Sequence, residues 1–356
     1  MRPQRFTMFI IALSLLLAST LLAVPVGAQG AKLVGYALTP AETVTDGDPA
    51  GAALASNGTI NGLSMPFSSQ PFGAIIGLLP GSYAGYFEAL TSATFERPDQ
   101  SADFLLRIYT LEIDFRRADG GSGAASPVAW ITLTDPRKLL GDIARGGERT
   151  RPITGADVTP CAFTRLADGS YWIADAKNGT LLHFDNKGKL LTAPISLSGG
   201  AIMGLSSLAD GTLVVAQGGG GTATFSTVSA DGSIVGSNSY PLDSGSSSID
   251  GFTVLSNGQA FVIENDGQDN GGSKRVYRID INNPASKALV IDLNGIDDSD
   301  GLSGLGNPFR FPYAQIGGIA LDGNDLVLVN NNRVPFSQVR QPGSADPTEF
   351  IKVRIG

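Results

Sequence analysis

The sequence predicts an all-β protein built from a repeated four-stranded unit, and three observations support this fold class. Glycine and proline are abundant, with 46 Gly and 20 Pro in 356 residues, and Gly is unfavourable inside a helix. Hydrophobic residues make up 42% of the chain and charged residues 16%, which suffices for a full core. A strand–turn–strand pattern recurs at intervals close to the roughly 40–45 residues of one β-propeller blade.

The first 28 residues have the pattern of a secretory signal peptide. Two arginines precede an apolar run at 8–24, and the small residues at 26–28 form a cleavage site. The alternative is an uncleaved membrane anchor, because the run is about long enough to span a bilayer. Pro25 and the small residues after it favour cleavage. We therefore expect a secreted, periplasmic or extracellular protein whose propeller domain covers 29–356.

The repeated unit consists of a strand, an Asp-Gly or Asn-Gly type of turn and a second strand. It occurs at 162–175, 204–217, 251–264 and 318–330. Such turns need positive φ angles, which Gly and Asn adopt at low cost, and they suit tight hairpins. Third and fourth strands follow within the repeat, so each unit is predicted to be a four-stranded antiparallel blade.

The ring is predicted to close through the N-terminal strand. An earlier blade fits 73–134, and the last blade obtains only three strands from the C-terminal region, ending at 350–354. A strand at 32–38 would supply the fourth and remove an exposed sheet edge. We count five blades, or six if 40–70 contains further strands. A β-sandwich is the alternative fold, although sandwiches repeat less regularly.

Composition excludes several functional classes. A net charge of −8 lacks the electrostatic footprint of a nucleic-acid binder. A single Cys excludes a disulfide framework and a multi-thiolate zinc site, and a single His excludes a His-rich metal cluster. His183 lies mid-strand and is predicted to be a packed blade residue. Cys161 has no base in its own segment and is predicted to be unreactive.

Several segments carry a resemblance to a known family. They are 101–109, 133–136, 153–157, 168–175 and 330–337, and they keep their order along the chain. In these segments the sequence resembles the phytase-like β-propeller family, which is also labelled "esterase-like activity of phytase". The resemblance implies hydrolysis of phosphate esters or related esters, assisted by calcium ions that a carboxylate cluster holds on one face of the propeller.

The sequence departs from the family pattern at many acidic positions. Six positions that the resemblance assigns to acids are neutral: Ser92, Cys161, Ala176, Met203, Gly317 and Asn331. The resemblance implies a metal site at the acids that are kept and at one amide: Asp157, Asp175, Glu264, Asp266 and Asn331. Of these, Asp175 and Glu264 are the candidates for catalytic carboxylates. In the alternative interpretation, Asp175 and Glu264 cap strand ends and bond turn amides.

The neutral substitutions predict a degenerate site. Calcium takes six to eight oxygen ligands, several of them charged, and each lost carboxylate removes such a ligand. We therefore expect weak or absent metal-assisted hydrolysis. The alternative function is a propeller without catalysis that binds a glycan, a phosphorylated ligand or a protein partner. Acidic loops at 264–271 and 297–301 either rebuild a cation site or are solvated loops.

Overall fold

The computed structural model describes residues 30–92, 95, 97–219 and 221–356. The predicted signal peptide at 1–28 lies outside these residues. Strands dominate the described part of the chain, whose 3₁₀ helices are Ala52–Asn57 and Pro98–Gln100. Within that part no helix is long and apolar enough to cross a membrane.

Five strands precede the repeated units. They are β1 (Lys32–Thr39), β2 (Val44–Thr45), β3 (Thr59–Ile60), β4 (Leu63–Ser64) and β5 (Gln70–Pro71). The four short strands form two separate ribbons, β2 with β5 and β3 with β4. The stretch 40–70 therefore contributes no four-stranded sheet.

The remaining nineteen strands, together with β1, form five four-stranded units. Blade 1 contains β6 (Ile75–Pro80), β7 (Tyr86–Thr91), β8 (Arg107–Asp114) and β9 (Ala124–Thr132). Blade 2 contains β10 (Pro160–Arg165), β11 (Tyr171–Asp175), β12 (Thr180–Phe184) and β13 (Ile195–Ser196). Blade 3 contains β14 (Ala201–Ser207), β15 (Leu213–Gly219), β16 (Thr222–Val228) and β17 (Ile234–Pro241). Blade 4 contains β18 (Ser248–Val254), β19 (Gln259–Asn265), β20 (Lys274–Asp280) and β21 (Asn283–Asp292). Blade 5 contains β22 (Ile316–Asp322), β23 (Asp325–Asn330) and β24 (Thr348–Arg354), with β1 as its outer strand.

The blades surround one axis. Their innermost strands, β6, β10, β14, β18 and β22, contact one another in a closed cycle. The fold is therefore the predicted all-β propeller. Strand β1 pairs antiparallel with β24, with Tyr36 opposite Ile351, which confirms the predicted closure by the N-terminal strand. On its other side β1 meets β9 at Leu38 and Ala124, so blades 5 and 1 share one sheet.

The predicted hairpin turns join the first and second strands of the blades. Gly169 has φ 84° and Gly211 has φ 87°, in the region that favours glycine. The Asp168 carboxylate accepts a hydrogen bond from the Ser170 N–H at 2.9 Å, as expected for an Asx turn. These turns lie at the end of the disc opposite to the starts of the innermost strands.

Close packing between neighbouring blades explains two of the inner-strand glycines. A Cβ atom at Gly77 would lie 2.4 Å from the Phe163 ring of blade 2. A Cβ atom at Gly204 would lie 2.7 Å from the Phe252 ring of blade 4. Both aromatic rings are buried, and each packs directly on the backbone of the adjacent inner strand. The blades thus interlock below the open end of the axis.

Because β1 closes the ring, shortening a core side chain of β1 is predicted to cause a large loss of stability. Leu33 of β1 is fully buried in a cluster that includes Val353 of β24. We expect Leu33→Ala to lower the free energy of unfolding by about 2–5 kcal/mol, the usual range for buried Leu→Ala changes. Denaturant unfolding measures this loss. Leu289→Ala, at an exposed strand position of blade 4, is the matched control and should change stability by less than about 0.5 kcal/mol. Equal effects of the two changes would contradict a structural role for β1.

Candidate functional site

An open cavity of about 590 Å³ lies where the innermost strands begin. Its wall combines apolar, polar and charged side chains from all five blades and their connecting loops. The lining residues are Ala74, Ile76, Ser92, Thr159, Pro160, Cys161, Ile202, Met203, Ser248, Ile249, Asp250, Gln315, Ile316, Asn331 and Arg333. We call this space the axial cavity. It is the candidate functional site because the blades converge on it.

A β-bulge near the start of each innermost strand supplies wall residues of the axial cavity. In every blade one residue of the inner strand is skipped in the pairing with the second strand. The skipped residues are Ile76, Cys161, Met203, Asp250 and Gly317. Bulges redirect a side chain out of the regular strand alternation. All of these residues except the glycine line the cavity.

The bulge positions explain why the cavity wall carries so little negative charge. The resemblance assigns acids to Cys161, Met203 and Gly317, which are neutral in this chain. At Gly317 the backbone itself excludes a side chain, because a Cβ atom would lie 2.1 Å from the Ile75 carbonyl oxygen. Asp250 is the one carboxylate among the five bulge residues. The sequence analysis missed it, although Asp250-Gly251 matches Met203-Gly204 in the repeat.

The Asp250 carboxyl group is held by three donors. Its Oδ2 accepts hydrogen bonds from Asn265 Nδ2 at 2.5 Å and from the Ile316 N–H at 2.8 Å. Its Oδ1 accepts a hydrogen bond from the Ser248 hydroxyl at 3.0 Å. Burial raises the pKa of Asp250 above its ordinary value of 3.8, although these donors oppose the rise. Asp250 therefore ties blade 4 to blade 5 at the cavity wall.

Asp175 lies at the predicted end of the disc, but its side chain caps a turn. Its strand partner, Pro160, lines the axial cavity. Its Oδ1 accepts hydrogen bonds from the N–H groups of Thr159 and Lys177, both at 3.0 Å. Its Oδ2 accepts one from Asn178 Nδ2 at 2.6 Å. Both oxygens are thus used in the local loop, as the capping interpretation holds.

Glu264 also lies at this end of the disc, and its carboxylate is enclosed between blades 3 and 4. The residue is fully buried. Its oxygens accept hydrogen bonds from the Tyr240 hydroxyl at 2.5 Å and from the Asp243 N–H at 2.9 Å, and the carboxylate forms an ion pair with Lys287. A buried carboxylate requires such compensation. Glu264 does not line the axial cavity.

The other acids of the predicted metal site are also bound to their own loops. Asp157 accepts hydrogen bonds from the Ala144 N–H at 2.7 Å and from Thr154, and so braces its own loop. Asp266 accepts hydrogen bonds from N–H groups of the loop that follows it. Only Asn331 lines the cavity, and its side-chain oxygen accepts a hydrogen bond from the Arg333 N–H at 3.0 Å.

The donors that the resemblance assigns to calcium do not fit a calcium site. The oxygens of the four acids already accept hydrogen bonds or ion pairs from the protein. Across residues 30–92, 95, 97–219 and 221–356, no three His, Cys, Asp or Glu side chains are grouped so that they could hold a metal ion. In the loop at 297–301, Asp298 accepts hydrogen bonds from Leu302 and Ser303, and Asp300 pairs with Lys32 at 2.9 Å.

The nucleophile and base candidates are poorly suited to catalysis. Burial raises the pKa of the Cys161 thiol to about 12, so the reactive thiolate is scarce. The His183 ring stacks on Trp172 with ring centroids 4.3 Å apart, and burial lowers the pKa of His183. His183 is not among the residues that line the cavity. These observations agree with the packed role expected for His183 and the low reactivity expected for Cys161.

Comparison with known proteins gives a match to one family model. The family model named "Phytase-like: Esterase-like activity of phytase" matches residues 70–332. No curated protein matches the chain. Among solved structures, a luciferin-regenerating enzyme is similar at 13% identity and a TM-score of 0.41, covering 79% of this chain and 77% of that one. A virginiamycin B lyase from Staphylococcus aureus is similar at 14% identity and a TM-score of 0.35, covering 78% and 69%. These TM-scores indicate only distant likeness.

The raised pKa of Asp250 predicts a pH-dependent effect of Asp250→Asn. The folded protein holds the Asp250 proton more tightly than the unfolded chain does. The stabilisation that comes from this raised pKa is therefore fully present below about pH 4. It is lost as the pH rises through the folded-state pKa. The Asn amide resembles the protonated acid: its oxygen still accepts from Asn265 and Ile316, and its nitrogen can donate to Ser248. We expect the stability of Asp250→Asn relative to the native protein to increase with pH above about 4, measured by denaturant unfolding.

Asp250→Ala serves as the control for this prediction. It removes the acceptor entirely and should destabilise the protein by about 1–3 kcal/mol throughout the pH range, because it leaves buried donors without a partner. A constant difference between Asp250→Asn and the native protein from acidic to neutral pH would contradict the prediction.

Proposed function

The chain belongs to the phytase-like family, and within that family we propose that it binds a small ligand in the axial cavity without metal-assisted hydrolysis. The observation that carries this proposal is the composition of the bulge positions. Only Asp250 among them bears a carboxylate, and its oxygens accept hydrogen bonds from the protein. The cavity has the size and mixed lining of a small-molecule site.

The requirements of metal-assisted hydrolysis support the proposal by contrast. Such a reaction needs a held cation and an activated water. Asp175 and Glu264, which keep the acids of the family pattern, are engaged in a turn and in a buried ion pair. A thiol with a pKa of about 12 does not replace them as a nucleophile. Binding requires only that the cavity wall match the ligand in shape and polarity.

The cavity wall favours a ligand that carries an anionic group. Arg333 contributes a guanidinium that is about one-third exposed, and its nearest counter-charge, Asp269, lies 3.8 Å away. Asn331 and Gln315 add amide groups beside it. Ile76 and Met203 supply apolar surface. Among the described residues that line the cavity none is aromatic, so these residues offer a sugar ring no stacking surface. Among the ligand classes considered from the sequence, a phosphorylated small molecule fits best.

We further propose that the mature protein acts outside the cytoplasm. The support is the signal-peptide pattern of the first 28 residues, with its charged start, apolar run and small residues before the cleavage site. The propeller would then meet its ligand in the periplasm or the extracellular medium.

The proposed function predicts binding without turnover. We expect the chain lacking residues 1–28 to hydrolyse phytate, p-nitrophenyl phosphate and p-nitrophenyl acetate no faster than buffer, in Ca²⁺ and in chelator alike. We expect p-nitrophenyl phosphate to bind in the axial cavity, as measured by isothermal titration calorimetry. Arg333→Gln should weaken this binding about tenfold or more, because it removes a charge-assisted hydrogen-bond donor.

Arg117→Gln is the matched control for the binding measurement. Arg117 is half-exposed on a hairpin and outside the cavity, so its replacement should leave the affinity unchanged. Turnover that disappears on chelation and in Glu264→Gln would instead establish the metal-assisted hydrolase implied by the family. Equal losses of affinity in the two arginine variants would argue against binding in the axial cavity.

The proposed export predicts a defined mature terminus. When the full chain is expressed in a host with a Sec pathway, we expect the processed protein to begin at Gln29, as read by N-terminal sequencing. Ala28→Leu should block processing, because the peptidase requires small residues there, whereas Gln29→Asn should not. Recovery of the unprocessed chain in the membrane fraction would support the uncleaved anchor.

A further inference from the structure

The loop that joins β19 to β20 encloses the side chain of a fully buried lysine, which is the first residue of β20. Lys274 has no exposed surface. Its ammonium group donates hydrogen bonds to the carbonyl oxygens of Gln268 and Gly271, and it lies 3.4 Å from Asp266 Oδ1. An ammonium group has three donors, and three oxygens surround it. The charge is therefore compensated within a single loop, as burial requires.

The oxygens around Lys274 are of the kind that hold a hard metal cation. Carboxylate and backbone carbonyl oxygens are the preferred ligands of calcium in protein loops. The loop is wrapped around this point by further bonds, since Asp266 also accepts hydrogen bonds from the N–H groups of Gln268 and Ser273. The sequence analysis considered this loop as a cation site, and the structure places a side-chain ammonium in its centre.

The same loop braces the charged wall of the axial cavity. Asp269 accepts a hydrogen bond from the Ala314 N–H at 2.6 Å and lies 3.8 Å from the Arg333 guanidinium. Asn265, at the start of the loop, donates one hydrogen bond to Asp250 and another to the Ala314 carbonyl. Both charged residues of the cavity wall are thus connected to the loop that encloses Lys274.

We infer that Lys274 is a tethered cation, which does for this loop what a bound metal ion would do. Its ammonium group organises the loop and so holds Arg333 and Asp250 in place at the axial cavity. Lys274 is accordingly a positioning residue, and its effect on ligand affinity rests on the proposed function. The oxygens of Asp266, Gln268 and Gly271 accept a free cation once the lysine side chain is shortened.

Chemical rescue tests the tethered cation directly. Lys274→Ala removes the three carbons and the ammonium group beyond Cβ, which together have the size of propylammonium. We expect this variant to melt at a lower temperature than the native protein and to exchange the amide hydrogens of the loop at least about tenfold faster. Added propylammonium chloride should restore much of both losses, whereas NaCl of the same ionic strength should restore less.

Lys274→Met is the matched control, because its apolar side chain fills the space and carries no charge. It should be destabilised and should not respond to propylammonium. If Lys274→Ala does not fold from the start, refolding from denaturant with and without propylammonium gives the same comparison. An equal response of the two variants, or a native melting temperature for Lys274→Ala, would overturn the inference.

The positioning role has a separate measurement. The rate at which the Ile316 amide hydrogen exchanges with solvent reports the state of the cavity wall without any ligand, because this amide donates a hydrogen bond to Asp250. We expect this rate to rise in Lys274→Ala and to return towards the native value with propylammonium. A rate that stays native while the loop opens would overturn the positioning role. Failure of p-nitrophenyl phosphate to bind the native protein would contradict the proposed function alone, because rescue of the loop requires no ligand.

Discussion

The close approach of the five innermost strands around one axis is the constraint on which the rest of the structure depends. Neighbouring blades interlock so tightly that Gly77 and Gly204 leave room only for the rings of Phe163 and Phe252. At the open end each inner strand bulges by one residue. A bulge turns a side chain out of the strand alternation. The chemistry of the axial cavity therefore depends largely on five positions that the backbone geometry selects.

Those five positions offer few ligands for a metal ion at the axis. A hard cation requires several charged oxygens aimed at one point. Asp250 alone supplies a carboxylate, and Gly317 cannot carry any side chain on this backbone. The retained acids Asp175 and Glu264 belong to second strands, where their oxygens satisfy turn amides and a neighbouring blade. Acidic residues kept from the family pattern thus stabilise the fold.

The fold was largely predictable from the sequence because its signals are local. Asp-Gly or Asn-Gly turns with positive φ, such as the one at Gly169, mark the first hairpin of blades 2 to 5, and the shortage of one strand in the last blade predicts closure by β1. The turn amides that Asp175 accepts from are close in sequence, so capping was a possible prediction for it. The direction of the Glu264 side chain was not predictable, because its partners Tyr240 and Lys287 are 24 and 23 residues away in sequence. Asp250 was missed even though its place before a glycine repeats that of Met203. A blade-by-blade alignment contains this signal.

The lysines of blade 4 supply positive charge at acids that the resemblance assigns to a metal site. Glu264 pairs with Lys287, and Asp266 lies beside Lys274, so two acids that the resemblance assigns to a metal each face an ammonium group of their own blade. Burial makes an unpaired carboxylate unfavourable, and either a metal ion or a lysine can compensate it. A lysine brings one positive charge and is covalently attached, whereas calcium brings two and must be captured. Once each acid has its lysine, the pairs attract a free cation only weakly and no longer repel an anion from the cavity that Arg333 faces.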